Sequence, residues 1–307
     1  MLSRTADHLY WMSRSIERAE NIARFLDVAN RLALSGGGAR DCWRPVLTIT
    51  GGVDAYAQRF GEISAVSVIT WAVLDGTNPS SILGCLRSAR ENAHAVRSVI
   101  NNELWEIINS TWLAVKGIDG ARLREQGLTG FCEWVKERSH TVRGATYGTM
   151  LRDEAFHFVR LGTFLERADN TARLLGVRAE NVTAQSRHVD ASDQLHWAAV
   201  LKSVSAYKAY RALTREDVSP AGVADMLIMN ADMPRSLHAC LDAVSIILEQ
   251  ISRQAECTRM GGALHAQFHY GRLEQILAEG LDGFVAKFLI ANNQLGNQIH
   301  ADFLMLP

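Results

Sequence analysis

Ten residues of charge-dense, helix-forming sequence occur twice in this chain. Glu17-Arg18-Ala19-Glu20-Asn21-Ile22-Ala23-Arg24-Phe25-Leu26 returns as Glu166-Arg167-Ala168-Asp169-Asn170-Thr171-Ala172-Arg173-Leu174-Leu175, in the shared pattern E-R-A-[ED]-N-x-A-R-x-L. Two further blocks follow in the same order. Trp43-x-x-Val46-Leu47, leading to Tyr56, matches Trp197-x-x-Val200-Leu201, leading to Tyr210. Val73-Leu74-Asp75-x-x-x-Pro79-x-Ser81-Ile82-x-x-Cys85-Leu86 matches Ile228-Met229-Asn230-x-x-x-Pro234-x-Ser236-Leu237-x-x-Cys240-Leu241. The offsets of 149, 154 and 155 keep their order, and collinear blocks of this kind point to tandem duplication. The expected fold is all-α: an internally duplicated helical bundle, a single domain over 1–307. Two similar halves, near 1–150 and 151–307, are expected around a pseudo-two-fold axis.

The rest of the chain supports a helical reading. Only five prolines occur, apolar residues recur with the i, i+3, i+4 rhythm, and no convincing period-2 run is present. Loop signals fall at Ser35–Gly38, Gly117–Gly130, Arg178–Ser192 and Gly261-Gly262. Asn78-Pro79 and Ser219-Pro220 each place a capping residue before a proline suited to a first turn. Ordinary helix and loop lengths give about ten helices. Cys85 and Cys240, matched between the halves, read as small core residues.

Composition excludes several function classes. The formal net charge of −1 and pI of about 6.8 give no global attraction for nucleic acid or an anionic membrane. The run Ile63–Leu74 is too short to span a bilayer, and Met1–His8 lacks the apolar core of a signal peptide. Five scattered cysteines with no C-x-x-C read as reduced thiols of a cytoplasmic protein, not as a zinc or disulfide framework. No G-x-S-x-G, Walker A loop or dinucleotide fingerprint occurs, and no cofactor is expected.

On a helical wheel, Glu17, Asn21 and Arg24 form one narrow stripe flanked by Arg14 and Glu20, with Tyr10 and Val28 above and below. Met12, Ile16, Ala19, Ala23 and Leu26 lie opposite, and Arg18 stands apart near Ile22 and Phe25. The second copy maps alike: Glu166, Asn170 and Arg173 together, Asp169 beside them, Arg167 apart. A solvated face would need no particular Asn or Glu, because surface positions tolerate most changes within about 0.5 kcal/mol. A buried ion-pair network formed by these residues accounts for their retention. A site is the other reading: Glu17 and Glu166 are the candidate acid/base groups, with arginines able to grip a carboxylate or phosphate.

Histidine motifs are weaker. Glu154-x-x-His157 has the spacing of di-iron bundles, but Thr5 stands where a symmetric partner glutamate would be, although His8 matches His157. His265-x-x-x-His269 lacks the zincin glutamate and reads as a surface or loop pair beside Gly261-Gly262. His94, His140, His196 and His238 form no cluster in sequence, so no metal site is expected. Trp71, Trp105, Trp112 and Trp134 read as core.

The stretch Met1-Leu2-Ser3-Arg4-Thr5-Ala6-Asp7-His8-Leu9-Tyr10-Trp11-Met12-Ser13-Arg14, running into Glu17-Arg18-Ala19-Glu20-Asn21, resembles the alpha-E domain family of bacterial proteins. Leu165-Glu166-Arg167-Ala168-Asp169, Asn230-x-x-x-Pro234-Arg235-Ser236 and His269-Tyr270-Gly271-Arg272-Leu273 carry the resemblance along the chain. It implies an all-helical protein encoded beside a circularly permuted ATP-grasp ligase, and often beside a transglutaminase-like protein. It also places the family's hallmark residues on Glu17, Arg18, Glu166 and Arg167. The function it implies is that of a helical accessory or substrate-presenting partner in ATP-dependent amide or peptide ligation. A cofactor-free enzyme of acyl transfer or amide hydrolysis using Glu17 and Glu166, and a scaffold without a small-molecule site, are the alternatives.

Overall fold

A computed structural model describes residues 1–36, 38–179, 182 and 191–304. Every regular element among them is helical, and none is a strand. The chain divides into two compact units, Met1–Thr163 and Phe164–Met305. Sixteen α-helices are described, more than the ten or so expected, because many are only one or two turns long. No described helix is long and apolar enough to cross a membrane.

The first unit is built on α1 (Ser3–Leu34). Burial surrounds most of its length: Met12, Ile16, Ala19, Ala23 and Leu26 are inside, and so are Glu17, Glu20, Asn21 and Arg24. A helix buried all round is a core helix, so its polar stripe must be satisfied by protein. Around it run α2 (Ala39–Ile49), α3 (Val53–Phe60), α4 (Ala65–Ile69), α5 (Ile82–Ala95), α6 (Asn102–Val115), α7 (Gly120–Gln126) and α8 (Leu128–Thr149). Helices α2, α5 and α8 pack directly on α1, and α6 packs on both α5 and α8. Helix α9 (Glu154–Gly176) begins in this unit and ends in the next.

The second unit continues with α10 (Ala191–Ser203), α11 (Tyr207–Thr214), α12 (Pro220–Ala224), α13 (Leu237–Ile251), α14 (Glu256–His269), α15 (Leu273–Glu279) and α16 (Leu281–Ile299). Helix α14 packs on α13 and α16, and α15 on α16.

The succession after α9 repeats the succession after α1. Helices α4 and α12 each run straight into a π-helical turn, Thr70–Leu74 and Asp225–Met229. The widened turn closes when the Asp75 N–H donates to the Thr70 carbonyl at 3.0 Å and the Asn230 N–H to the Asp225 carbonyl at 3.2 Å. The matched tyrosines behave alike: the Tyr56 hydroxyl donates to the Glu62 carbonyl and the Tyr210 hydroxyl to the Asp217 carbonyl. Cys85 and Cys240 are both buried, as expected of core residues, and their thiols lie 3.8 and 3.9 Å from the carbonyls of Pro79 and Pro234. A further matched pair opens α8 and α16: Gly127-Leu128-x-Gly130-Phe131 and Gly280-Leu281-x-Gly283-Phe284. Gly127 and Gly280 have φ of 79° and 95°, a region that glycine enters without steric cost.

Several local expectations need correction. Ser219 caps α12 with Pro220 in its first turn, but Asn78-Pro79 starts no helix. The Asn78 side chain accepts from the Ser80 N–H and donates to the Trp71 carbonyl, forming a turn, and Ser81 caps α5 instead. Gly117–Gly130 holds α7 and the start of α8. Gly261-Gly262 lies inside α14. A Cβ on Gly261 would stand 2.8 Å from Leu248 Cδ1, so this glycine serves close approach of α13 and α14, not a turn. The expected loop Arg178–Ser192 lies mostly outside the described residues. Trp71 and Trp105 are buried, while Trp112 and Trp134 are only half-buried.

Candidate functional site

In the first unit the polar stripe of α1 meets α8. The Arg143 guanidinium donates to Glu17 Oε2 at 3.0 Å, to Glu20 Oε2 at 2.5 Å and to Ser139 Oγ at 2.9 Å. Ser139 donates to Glu20 Oε2 at 2.7 Å, and Arg24 Nε to Glu20 Oε1 at 2.8 Å. The His140 imidazole lies 3.5 Å from the same carboxylate. Glu17 and Glu20 are 1% and 0% exposed, so these charges depend on the guanidinium groups and not on water. Arg14 donates to the Tyr10 hydroxyl at 3.0 Å and stacks over Trp11. Arg18, apart from the stripe, is half-buried. One turn further on, Asp27 accepts from Arg31 and Lys136.

In the second unit Glu166, Arg167, Asp169 and Asn170 are buried as well. Arg173 Nε donates to Asp169 Oδ2 at 2.6 Å, the same i, i+4 pair as Glu20–Arg24. The Asn170 amide donates to the Glu166 carbonyl at 2.8 Å and reaches its carboxylate at 3.4 Å. Arg167 donates to the Pro234 carbonyl at 3.4 Å, and Thr171 to the Arg235 carbonyl at 2.8 Å. Those two contacts tie the motif to the turn before α13.

Sequence reasoning missed Arg143 and Ser139. At an offset of 153, the one that aligns the starts of α8 and α16, their places are taken by Gly296 and Asn292. The repeat therefore contained no signal for them.

The histidines rearrange more than the motif does. His8 is engaged with Asn92 at 2.8 Å, and Glu154-x-x-His157 occupies the first turn of α9. Burial, then Arg160, holds the His157 imidazole below its ordinary value. His265 and His269 are not a loop pair but lie one turn apart on α14, and His238 at the start of α13 joins them. One ring nitrogen of each lies within 4.8 Å of those of the other two. Burial lowers the His265 imidazole against the opposing pull of Asp242.

A half-open groove of about 660 Å³ also belongs to the second unit. Tyr270, Arg272, Ile276, Phe284, Lys287 and Phe288 are among its lining residues. Lys287 is paired with Glu279 at 2.9 Å. A groove lined by aromatic rings and a guanidinium suits a molecule with an apolar body and a carboxylate.

Two copies of a Glu-Arg pair on long helices, each with its glutamate buried, are the decisive observation. Residues 1–304 match a family described as a predicted alpha-helical domain with a conserved ER motif. The chain belongs to the Alpha-E family. Among its relatives are uncharacterized proteins of Mycobacterium bovis and of two strains of Mycobacterium tuberculosis. Each is 25% identical over 320 residues, a match covering 93% of this chain and 35% of the relative. The chain thus spans about a third of the length of these relatives. No solved structure matches it.

Proposed function

We propose that this Alpha-E chain is a helical accessory, presenting substrate to an ATP-grasp type amide or peptide ligase. The observation that carries the proposal is the state of the repeated motif. Glu17 and Glu20 are buried and held by Arg143, Arg24 and Ser139, which suits residues that fix helices in place rather than exchange protons with a substrate. Two facts add support. In the mycobacterial relatives the matching region is one part of a longer chain, as for a module that works beside others. The groove lined in part by Arg272 offers a place for a carboxylate substrate or its amide product. In this reading the ligase activates a carboxylate as an acyl phosphate, and the helical chain holds the substrate or shields the product from water. A transglutaminase-like protein is a further candidate partner, and the setting is the cytoplasm. The matched element order is read as tandem duplication of about 1–150 and 151–307.

The test is co-purification of the tagged chain with a circularly permuted ATP-grasp protein encoded beside it, followed by ligase assays with the chain present and omitted. Stable association and loss of amide product on omission are expected. Absence of contact together with undiminished turnover would overturn the proposal.

A further inference from the structure

His238, His265 and His269 come from two separate stretches of sequence and converge at one place. Helices α13 and α14 pack against each other, and the close approach at Gly261 is part of that contact. His265 and His269 share a face of α14 because they are one turn apart. His238 enters from the first turn of α13, next to the turn that follows the π-helical segment Asp225–Met229. Ring centroids lie 5.4 Å apart for His265–His269, and 5.9 Å for His238 with each of the others. Three imidazoles this close form no hydrophobic core, and each carries a nitrogen that needs a partner.

Two details show how those nitrogens are used. His238 Nδ1 lies 2.9 Å from the Met229 carbonyl, which can only accept, so Nδ1 carries the proton and Nε2 is left with its lone pair. A backbone carbonyl fixing the far nitrogen is the usual support of a metal-ligating histidine. His265 Nε2 is buried with no hydrogen-bond partner, even though Asp242 Oδ1 is 3.5 Å away. A buried ring nitrogen left unpaired destabilises the fold unless something binds it. Ligand atoms of a tetrahedral site with metal–nitrogen bonds of about 2.0–2.1 Å lie about 3.3 Å apart. Nitrogens already within 4.8 Å reach that spacing by small side-chain rotations.

We propose that His238, His265 and His269 are the three protein ligands of a divalent late first-row metal ion, zinc above all. Imidazole is a borderline ligand that favours zinc, copper, nickel and cobalt over magnesium or calcium. The Asp242 carboxylate beside His265 adds negative charge at the rim, which offsets part of the cation's desolvation. The site lies wholly within the second unit and takes no ligand from the repeated Glu-Arg motif.

The full-length chain, stripped with a chelator and dialysed, tests this by titration with zinc against a fluorescent zinc indicator and with cobalt in the visible range. One equivalent bound at about 1 µM or tighter is expected, with the intense d–d bands of tetrahedral cobalt. His265→Ala and His269→Ala should each weaken zinc binding at least about tenfold, since loss even of a group supporting a ligand costs about that much. His94→Ala in the first unit should leave it unchanged. His269 is exposed, so His269→Ala reports on binding even if the more buried variants fold poorly; circular dichroism of the metal-free proteins checks this. Weak binding without a one-to-one end point would overturn the proposal, as would tight binding that survives the His265→Ala/His269→Ala double change.

Discussion

Glu17 and Glu20 leave solvent almost completely, which costs several kcal/mol per ion unless a partner answers the charge. Arg143 answers both. Arg143→Met is therefore expected to lower the unfolding free energy by about 3 kcal/mol, the lower end of the range for breaking a buried pair, because Arg24 and Ser139 still hold Glu20. Adding Glu17→Gln should recover part of that loss by removing one of the two buried charges that Arg143 answers. Urea unfolding of the three proteins measures it, and a change within about 0.5 kcal/mol would mean that partners other than Arg143 satisfy these carboxylates. The helical wheel singled out Glu17 and its neighbours because they share one helix. It was silent on Arg143, which lies 126 residues away on α8 and has no counterpart in α16.

Among the elements, the turns closing the two π-helical segments give a matched comparison. Asp75 accepts from the Thr77 N–H and hydroxyl and pairs with Arg59 at 2.6 Å. Asn230 accepts from the Asp232 and Met233 N–H groups with a neutral amide. Burial of Asp75 works against its charge, but Thr77 and then Arg59 outweigh it and hold the carboxyl below its ordinary value. A depressed carboxyl contributes stability that is present above the unfolded value of about 3.9 and is lost as pH falls through the folded one. Asp75→Asn keeps an acceptor for the Thr77 N–H, so it should be mildly destabilising at pH 7. The gap from wild type should narrow as pH falls below the unfolded value of about 3.9, and urea midpoints at pH 7 and through the acid range check this. A gap that persists at low pH would show that shape, not charge, is what Asp75 supplies. Ser219-Pro220 was legible as a helix start because capping chemistry is local. Asn78-Pro79 misled because the same residues also build a turn, and Ser81 three residues on is an equally good cap.

Over the whole chain, all five cysteines are buried thiols outside any disulfide. Burial, then Asp302, pushes the Cys257 thiol up to about 12, and burial also raises Cys132 and Cys42. Nucleophilic attack needs the thiolate, so the native protein should give no reaction with a thiol reagent at pH 7, and five equivalents in denaturant. Cys42, Cys85 and Cys132 belong to the first unit and Cys240 and Cys257 to the second. Mass spectrometry of protein labelled at rising urea shows whether the two sets become reactive together. A thiol that reacts at once in the folded protein would contradict its burial.

Helical class, the cap at Ser219 and the order of matched blocks were determined by the sequence, because periodicity and capping act over a turn or two of chain. Retention of the polar stripe already pointed to its burial on α1; the tertiary structure alone decided that Arg143 meets Glu17 and Glu20 there. It alone brought His238 to His265 and His269. Each of those outcomes depends on which helices pack together. Packing contacts between residues far apart in the chain leave no local pattern from which they can be read.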